Sequence, residues 1–166
     1  LNLSPILRTE LRERNLGRCC GKSIQWLREN LEMQEKTVDD RLFSDAESRR
    51  DVWNRLKPFF DEIMGSEDEN ILIVSHGDLL SVFNTMFLGL NIEAMNTSEI
   101  YGRSGGVSHM LENNDGKRVV KRISVFVIPA AHAPAVPCFQ SQHHKYLQGR
   151  HSIQVPSMAC WCGSGF

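Results

Sequence analysis

One stretch constrains this chain more than any other: Ile71-Leu72-Ile73-Val74-Ser75-His76-Gly77-Asp78, followed at once by the apolar run Leu79 to Leu88. Successive apolar residues rich in β-branching predict a strand over Asn70–Ser75, buried on both faces and therefore central in a mainly parallel sheet. Asp78 is placed to cap a helix over Leu79–Leu88, and Gly89 to stop it. Leu79, Leu80, Val82, Phe83, Met86 and Phe87 leave that helix little polar face, so it is expected to be largely buried. A strand–turn–helix junction of this kind puts His76 where open α/β sheets bind ligands, outside the carboxyl end of a strand. Gly77 lets a ligand approach the backbone, and the helix N-terminus offers amide donors to an anion. The plainer alternative is a histidine that only closes the strand by hydrogen bonding.

The remaining elements alternate around this junction. Ile24, Leu27 and Leu31 fall at i, i+3 and i+7, predicting an amphipathic helix over Lys22–Gln34. Ser44-Asp45 is a candidate cap for a second helix, whose stripe is Val52, Leu56, Phe59, Phe60 and Ile63. Pro58 inside it removes one backbone hydrogen bond and predicts a kink, and Gly65 ends it. Two further strands are expected over Gly105–Glu112 and Arg118–Ile128, joined through Asn113-Asn114-Asp115-Gly116, a strong hairpin signal. Helix, helix, strand, helix and hairpin in that order imply an α/β domain. It covers residues 1–128. After Pro129 no useful period remains, and 129–166 reads as a poorly ordered tail.

Hydrophobic residues make up 41 % and charged residues 23 % of the chain, and the net charge is -1. Nothing in that balance favours nucleic acid or an anionic membrane as partner, although a local cluster of donors would still serve a small anion. No secretory signal opens the chain and no apolar run is long enough to span a bilayer, so the cytoplasm is the default compartment. Cys19, Cys20, Cys138, Cys160 and Cys162 show no disulfide spacing. Cys160-Trp161-Cys162 near His143, His144 and His151 lacks the spacing of a structural zinc site. The chain opens on Leu1, which suggests a start partway through a longer reading frame.

A second chemical candidate lies upstream, in Leu11-Arg12-Glu13-Arg14-Asn15-Leu16-Gly17. A glutamate beside basic residues can act as a general acid, though such a run is more commonly a solvated salt-bridge patch. Four segments in this order resemble the histidine phosphatase superfamily, which includes the phosphoglycerate mutase-like proteins. They are Leu11-x-Glu13-x-x-x-Gly17, Glu47-Ser48-Arg49-Arg50, Ser75-His76-Gly77 and Gly105-Gly106-Val107-Ser108. The resemblance covers roughly residues 5–128 and implies a three-layer α/β/α fold with a mostly parallel sheet. It implies that Glu13 is the proton donor to the leaving group and that His76 hydrogen-bonds the transferring phosphoryl group. Arg14 and the Gly77 amide are then phosphate-binding, and Arg14 with the Gly17–Ser23 loop contacts substrate. No metal or organic cofactor is implied. The substrate is a small phosphorylated metabolite, and the lack of a long insertion after Gly17 favours phosphatase over mutase.

The family signature, Arg-His-Gly at the end of a first strand, is missing from the sequence. That strand supplies the histidine that becomes phosphohistidine. Arg150-His151 is followed by serine and sits in the expected tail, and His109 reads as structural. The resemblance therefore covers the C-terminal two-thirds of a domain. It predicts a chain nearly inactive by itself and, with a central strand lost, poorly stable. The alternative is a non-catalytic phosphate-binding protein on the same fold. The sequence leaves the oligomeric state open.

Overall fold

The computed structural model describes residues 4–126 and 151–156. Three α-helices occur among them: α1 (Ile24–Asn30), α2 (Arg49–Met64) and α3 (Gly77–Phe87). Four strands form one sheet: β1 (Asn70–Leu72), β2 (Gly106–Glu112), β3 (Arg118–Phe126) and β4 (His151–Pro156). Short 3-10 turns at Thr9–Leu11, Gly17–Cys19 and Ile92–Asn96 join them.

Helix α2 starts later than Ser44-Asp45. Ser48 caps it, with Ser48 Oγ accepting from Asp51 N–H at 3.1 Å and the Asp51 side chain accepting from Ser48 N–H at 2.8 Å. This reciprocal box satisfies two donors, which a lone Ser44 could not do. The expected stripe is the buried one: Val52, Leu56, Phe59, Phe60 and Ile63. The helix runs through Pro58 to Met64. Helix α1 is shorter than the predicted 22–34. Its stripe is not buried either, because Ile24 is 70 % exposed and Leu31 40 % exposed. Instead Trp26 stacks on Phe43, ring centroids 5.8 Å apart, in a small cluster with Cys19 and Ala46.

Helix α3 is the centre of the main core. Every residue from Leu79 to Phe87 is buried. Phe83 meets Phe60 of α2 edge-on at 5.6 Å and Phe87 in a stacked pair at 6.5 Å. The Arg118 guanidinium covers the rings of Phe60 and Phe87 from outside, 5.5 and 5.7 Å from their centroids. The helix begins one residue before the expected Asp78 cap, with extended His76 in the N-cap position.

The sheet runs β1-β4-β2-β3. Only β1 and β4 are parallel; β4–β2 and β2–β3 are antiparallel. The described sheet is thus mixed, whereas a mostly parallel one was expected. β2 and β3 are consecutive across a tight turn, Gly116 N–H donating to Asn113 O at 2.9 Å, and such a hairpin must be antiparallel. β1 differs from expectation too. It covers only Asn70–Leu72, at an edge of the described sheet, and burial alternates along Leu72–Ser75: Ile73 and Ser75 are buried, while Leu72 is 52 % and Val74 44 % exposed. Only one face of this segment meets the core, because α2 and α3 cover that side.

Residues 151–156, read from sequence as part of a tail, form β4 and separate β1 from β2. The rest of 129–166, including Cys138, Cys160 and Cys162, lies outside the described residues. Among the described residues no helix is long and apolar enough to cross a membrane, and no group of three or more metal-ligating side chains occurs.

Candidate active site

Two segments far apart in sequence meet at the carboxyl end of β1. Ser75 Oγ donates to Leu11 O at 2.7 Å, pinning the strand end to the turn that precedes Glu13. Glu13 then reaches the first turn of α3. Its Oε1 accepts from Leu79 N–H at 3.1 Å, and its Oε2 lies 3.4 Å from Asp78 N. The same Oε1 also accepts from Arg14 N–H at 2.9 Å. A helix leaves its first N–H groups without intrahelical partners, and its N-terminus carries partial positive charge. The Glu13 carboxylate answers both, so α3 is capped by a residue from another segment, while the N-cap residue, His76, contributes no side-chain cap.

His76 is half-buried. Its Nδ1 is fully buried and has no hydrogen-bond partner among the described residues. A buried ring nitrogen left unsatisfied costs free energy, about 1–3 kcal/mol, and such sites in folded proteins call for a functional explanation. The Glu13 carboxylate and His76 thus both lie at the first turn of α3.

Arg14 takes a different position from the expected one. Its side chain is 4 % exposed, and its Nη1 and Nη2 donate to Glu35 Oε1 and Oε2 at 2.8 and 3.2 Å. Its Nε lies 3.0 Å from Asp78 Oδ2, close enough to pair though not aligned for a hydrogen bond. Burial works against the charge on Arg14. The Glu35 hydrogen bonds and the charges of Asp78, Glu35 and Glu13 outweigh it and hold the guanidinium above its ordinary value. Arg14 thus ties the Glu13 segment to α3 and to the loop after α1.

A second ionic node sits behind the Glu13 segment. Glu47 receives both Arg12 nitrogens at 2.6 and 2.9 Å, Asn15 N–H at 2.8 Å, and Arg55 at 3.2 Å. Burial pushes the Glu47 carboxyl up, but Arg12, the Asn15 amide and Arg55 together bring it down to about 2. Arg55 also donates to the carbonyls of Glu10 and Arg12, at 2.7 and 3.1 Å. Gly17 closes this segment with φ +63, and a Cβ there would run into the Asp45 side chain.

The opposite wall is built by the loop before β2. Gly77 and Gly102 face each other closely: a Cβ on Gly77 would lie 2.8 Å from Gly102 O, and one on Gly102 would lie 2.7 Å from Gly77 O. Gly77 is thus required by the neighbouring loop as well as by any ligand. Gly102 N–H donates to Ser81 Oγ at 3.1 Å, and Asn84 Nδ2 donates to Ile100 O at 3.0 Å.

The histidine phosphatase superfamily (branch 1) model matches residues 1–124. This chain belongs to that superfamily. Neither a curated protein nor a solved structure matches it.

Two other histidines, His109 and His151, fall among the described residues. β4 runs parallel to β1, with Asn70 opposite Ser152. His151 therefore lies at the amino end of the strand, the end of the sheet away from His76. His109 is half-buried on β2. Sequence reasoning missed Glu35, an isolated glutamate in a loop, and Gly102, whose role appears only when α3 packs beside it. The Glu47-Ser48-Arg49-Arg50 segment, which helped to mark the family, supplies the ionic node and the helix cap. Arg49 lies 3.6 Å from Glu99, and Arg50 binds Asp39 and Glu93.

Proposed function

We propose that this chain carries the proton-donor and second-histidine half of a phosphomonoester hydrolase site, acting on a small phosphate ester through a phosphohistidine intermediate. The observation that carries the reading is the meeting of Glu13 and His76 at the first turn of α3, with a buried, unpartnered ring nitrogen on His76. In this reading a phosphoryl group lies against His76 and the Gly77 amide, the first N–H of the helix. Glu13 protonates the leaving oxygen, and Arg14 holds Glu13 and Asp78 in register. Phosphoryl transfer depends on such fixed donors more than on covalent machinery from the protein. No cofactor enters this scheme. The reading includes the family's three-layer arrangement.

The nucleophile is the missing part. The sequence contains no Arg-His-Gly, and loss of a covalent nucleophile lowers the rate on the order of 10³-fold or more. We therefore expect the chain alone to hydrolyse a generic aryl phosphate no faster than its His76→Ala variant. Fast, His76-dependent turnover would overturn this. The second reading, a phosphate-binding protein without turnover, draws on one observation: the Glu13 carboxylate and the two Nη atoms of Arg14 already bind protein groups. The coding sequence upstream separates the two. An in-frame Arg-His-Gly strand supports the hydrolase, and a start codon directly before Leu1 supports the binding protein.

A further inference from the structure

Tyr101 stands beside the same site with its ring in solvent. It is 59 % exposed, yet its Oη and Cζ come within 3.7 and 3.9 Å of where a Cβ of Gly77 would be. The backbone on both sides of it is fastened. Ile100 O accepts from Asn84 and Gly102 N–H donates to Ser81, both on α3. Ser124 Oγ donates to Tyr101 O at 2.9 Å and accepts from Arg103 N–H at 3.0 Å. Ser124 can do this because it sits in a β-bulge of β3 opposite Ser108, with φ +45 and its own N–H donating to Ser108 Oγ at 3.0 Å. A non-glycine residue in that conformation is strained, and such strain persists where the surroundings over-determine it. The described structure thus fastens the backbone on both sides of an exposed aromatic ring that stands next to Gly77.

We propose that Tyr101 is a specificity-determining residue, the wall against which the organic part of the phosphate ester packs, selecting an aryl or similarly planar, apolar leaving group. This rests on the reading above, in which the phosphoryl group lies at His76 and Gly77. A pre-positioned tyrosine loses little freedom on contact, and its face and edge suit a flat apolar partner.

The test compares inorganic phosphate with phenyl phosphate, titrated into the full chain by calorimetry. Phenyl phosphate is expected to bind about five-fold more tightly, a preference within the range of one aromatic contact. The ratio should fall to about one in Tyr101→Ala and survive in Tyr101→Phe. In the unmutated chain, the Tyr101 ring resonances should shift with phenyl phosphate and not with inorganic phosphate. A ratio near one in the unmutated chain, or one that persists in Tyr101→Ala, refutes the role of Tyr101 while leaving the phosphate site standing. Failure of inorganic phosphate to bind, or binding untouched by His76→Ala, removes the phosphate site and this inference with it.

Discussion

Glu47 shows how much of this site is held from behind. Its carboxyl is brought from an ordinary 4.5 to about 2 by Arg12, the Asn15 amide and Arg55, against the opposing effect of burial. A depressed folded-state value means stability present above pH 4.5 and lost as the pH falls through 2. Glu47→Gln should therefore be less stable at neutral pH, on the order of 1–3 kcal/mol, and should lose less stability than the unmutated chain between pH 4.5 and 2. Urea denaturation at several pH values measures both effects. The candidate site residues stand in short, ordered patterns that sequence displays: Glu13 before Gly17, and His76 between an apolar strand and a helix. Glu35 was not legible, since nothing in Leu31–Val38 distinguishes one loop acid from another until Arg14 is seen buried against it. Arg14 was misplaced for a related reason. Sequence shows that an arginine is near the site, but burial decides whether it faces substrate or protein.

At the scale of elements, the contact between α3 and the loop before β2 is the most sensitive joint. A Cβ on Gly102 would lie 2.6 Å from Leu80 Cβ and 2.7 Å from the Gly77 carbonyl, neither of which yields cheaply. Gly102→Ala should cost about 1–3 kcal/mol and push the loop off the helix and, if the proposed site holds phosphate, weaken that binding more than its loss of Tm would suggest. Thermal melts and a phosphate titration on the same variant check this. Apolar periodicity identified α2 and α3 correctly, because both bury a wide face. It misjudged α1, where Ile24 and Leu31 are exposed and Trp26 and Leu27 do the packing. A seven-residue helix makes too few turns for its stripe to declare a direction. The cap of α2 was misread because Ser44 and Ser48 both suit the position, and only the reciprocal bond with Asp51 separates them.

For the whole molecule, β4 is the piece that sequence could not supply. His151–Pro156 has weak strand character, and its role depends on partners on either side: β1 in parallel, β2 antiparallel. A chain ending at Gly149 should melt less cooperatively than the longer chain and bind more of a hydrophobic dye, because β1 keeps no strand partner among the described residues and β2 keeps only β3. A sharp melt from that shortened chain would show that α2 and α3 hold the domain without the strand. The order of the sheet also sets a timetable. Asn70 is made early and its partner Ser152 late, so at common rates of synthesis β1 waits on the order of ten seconds for its neighbour. During that interval Leu72 and Val74 lie beside an open strand edge on a nascent chain. Slowing elongation lengthens that wait, and comparing the folded yield at two elongation rates would show whether the open edge matters.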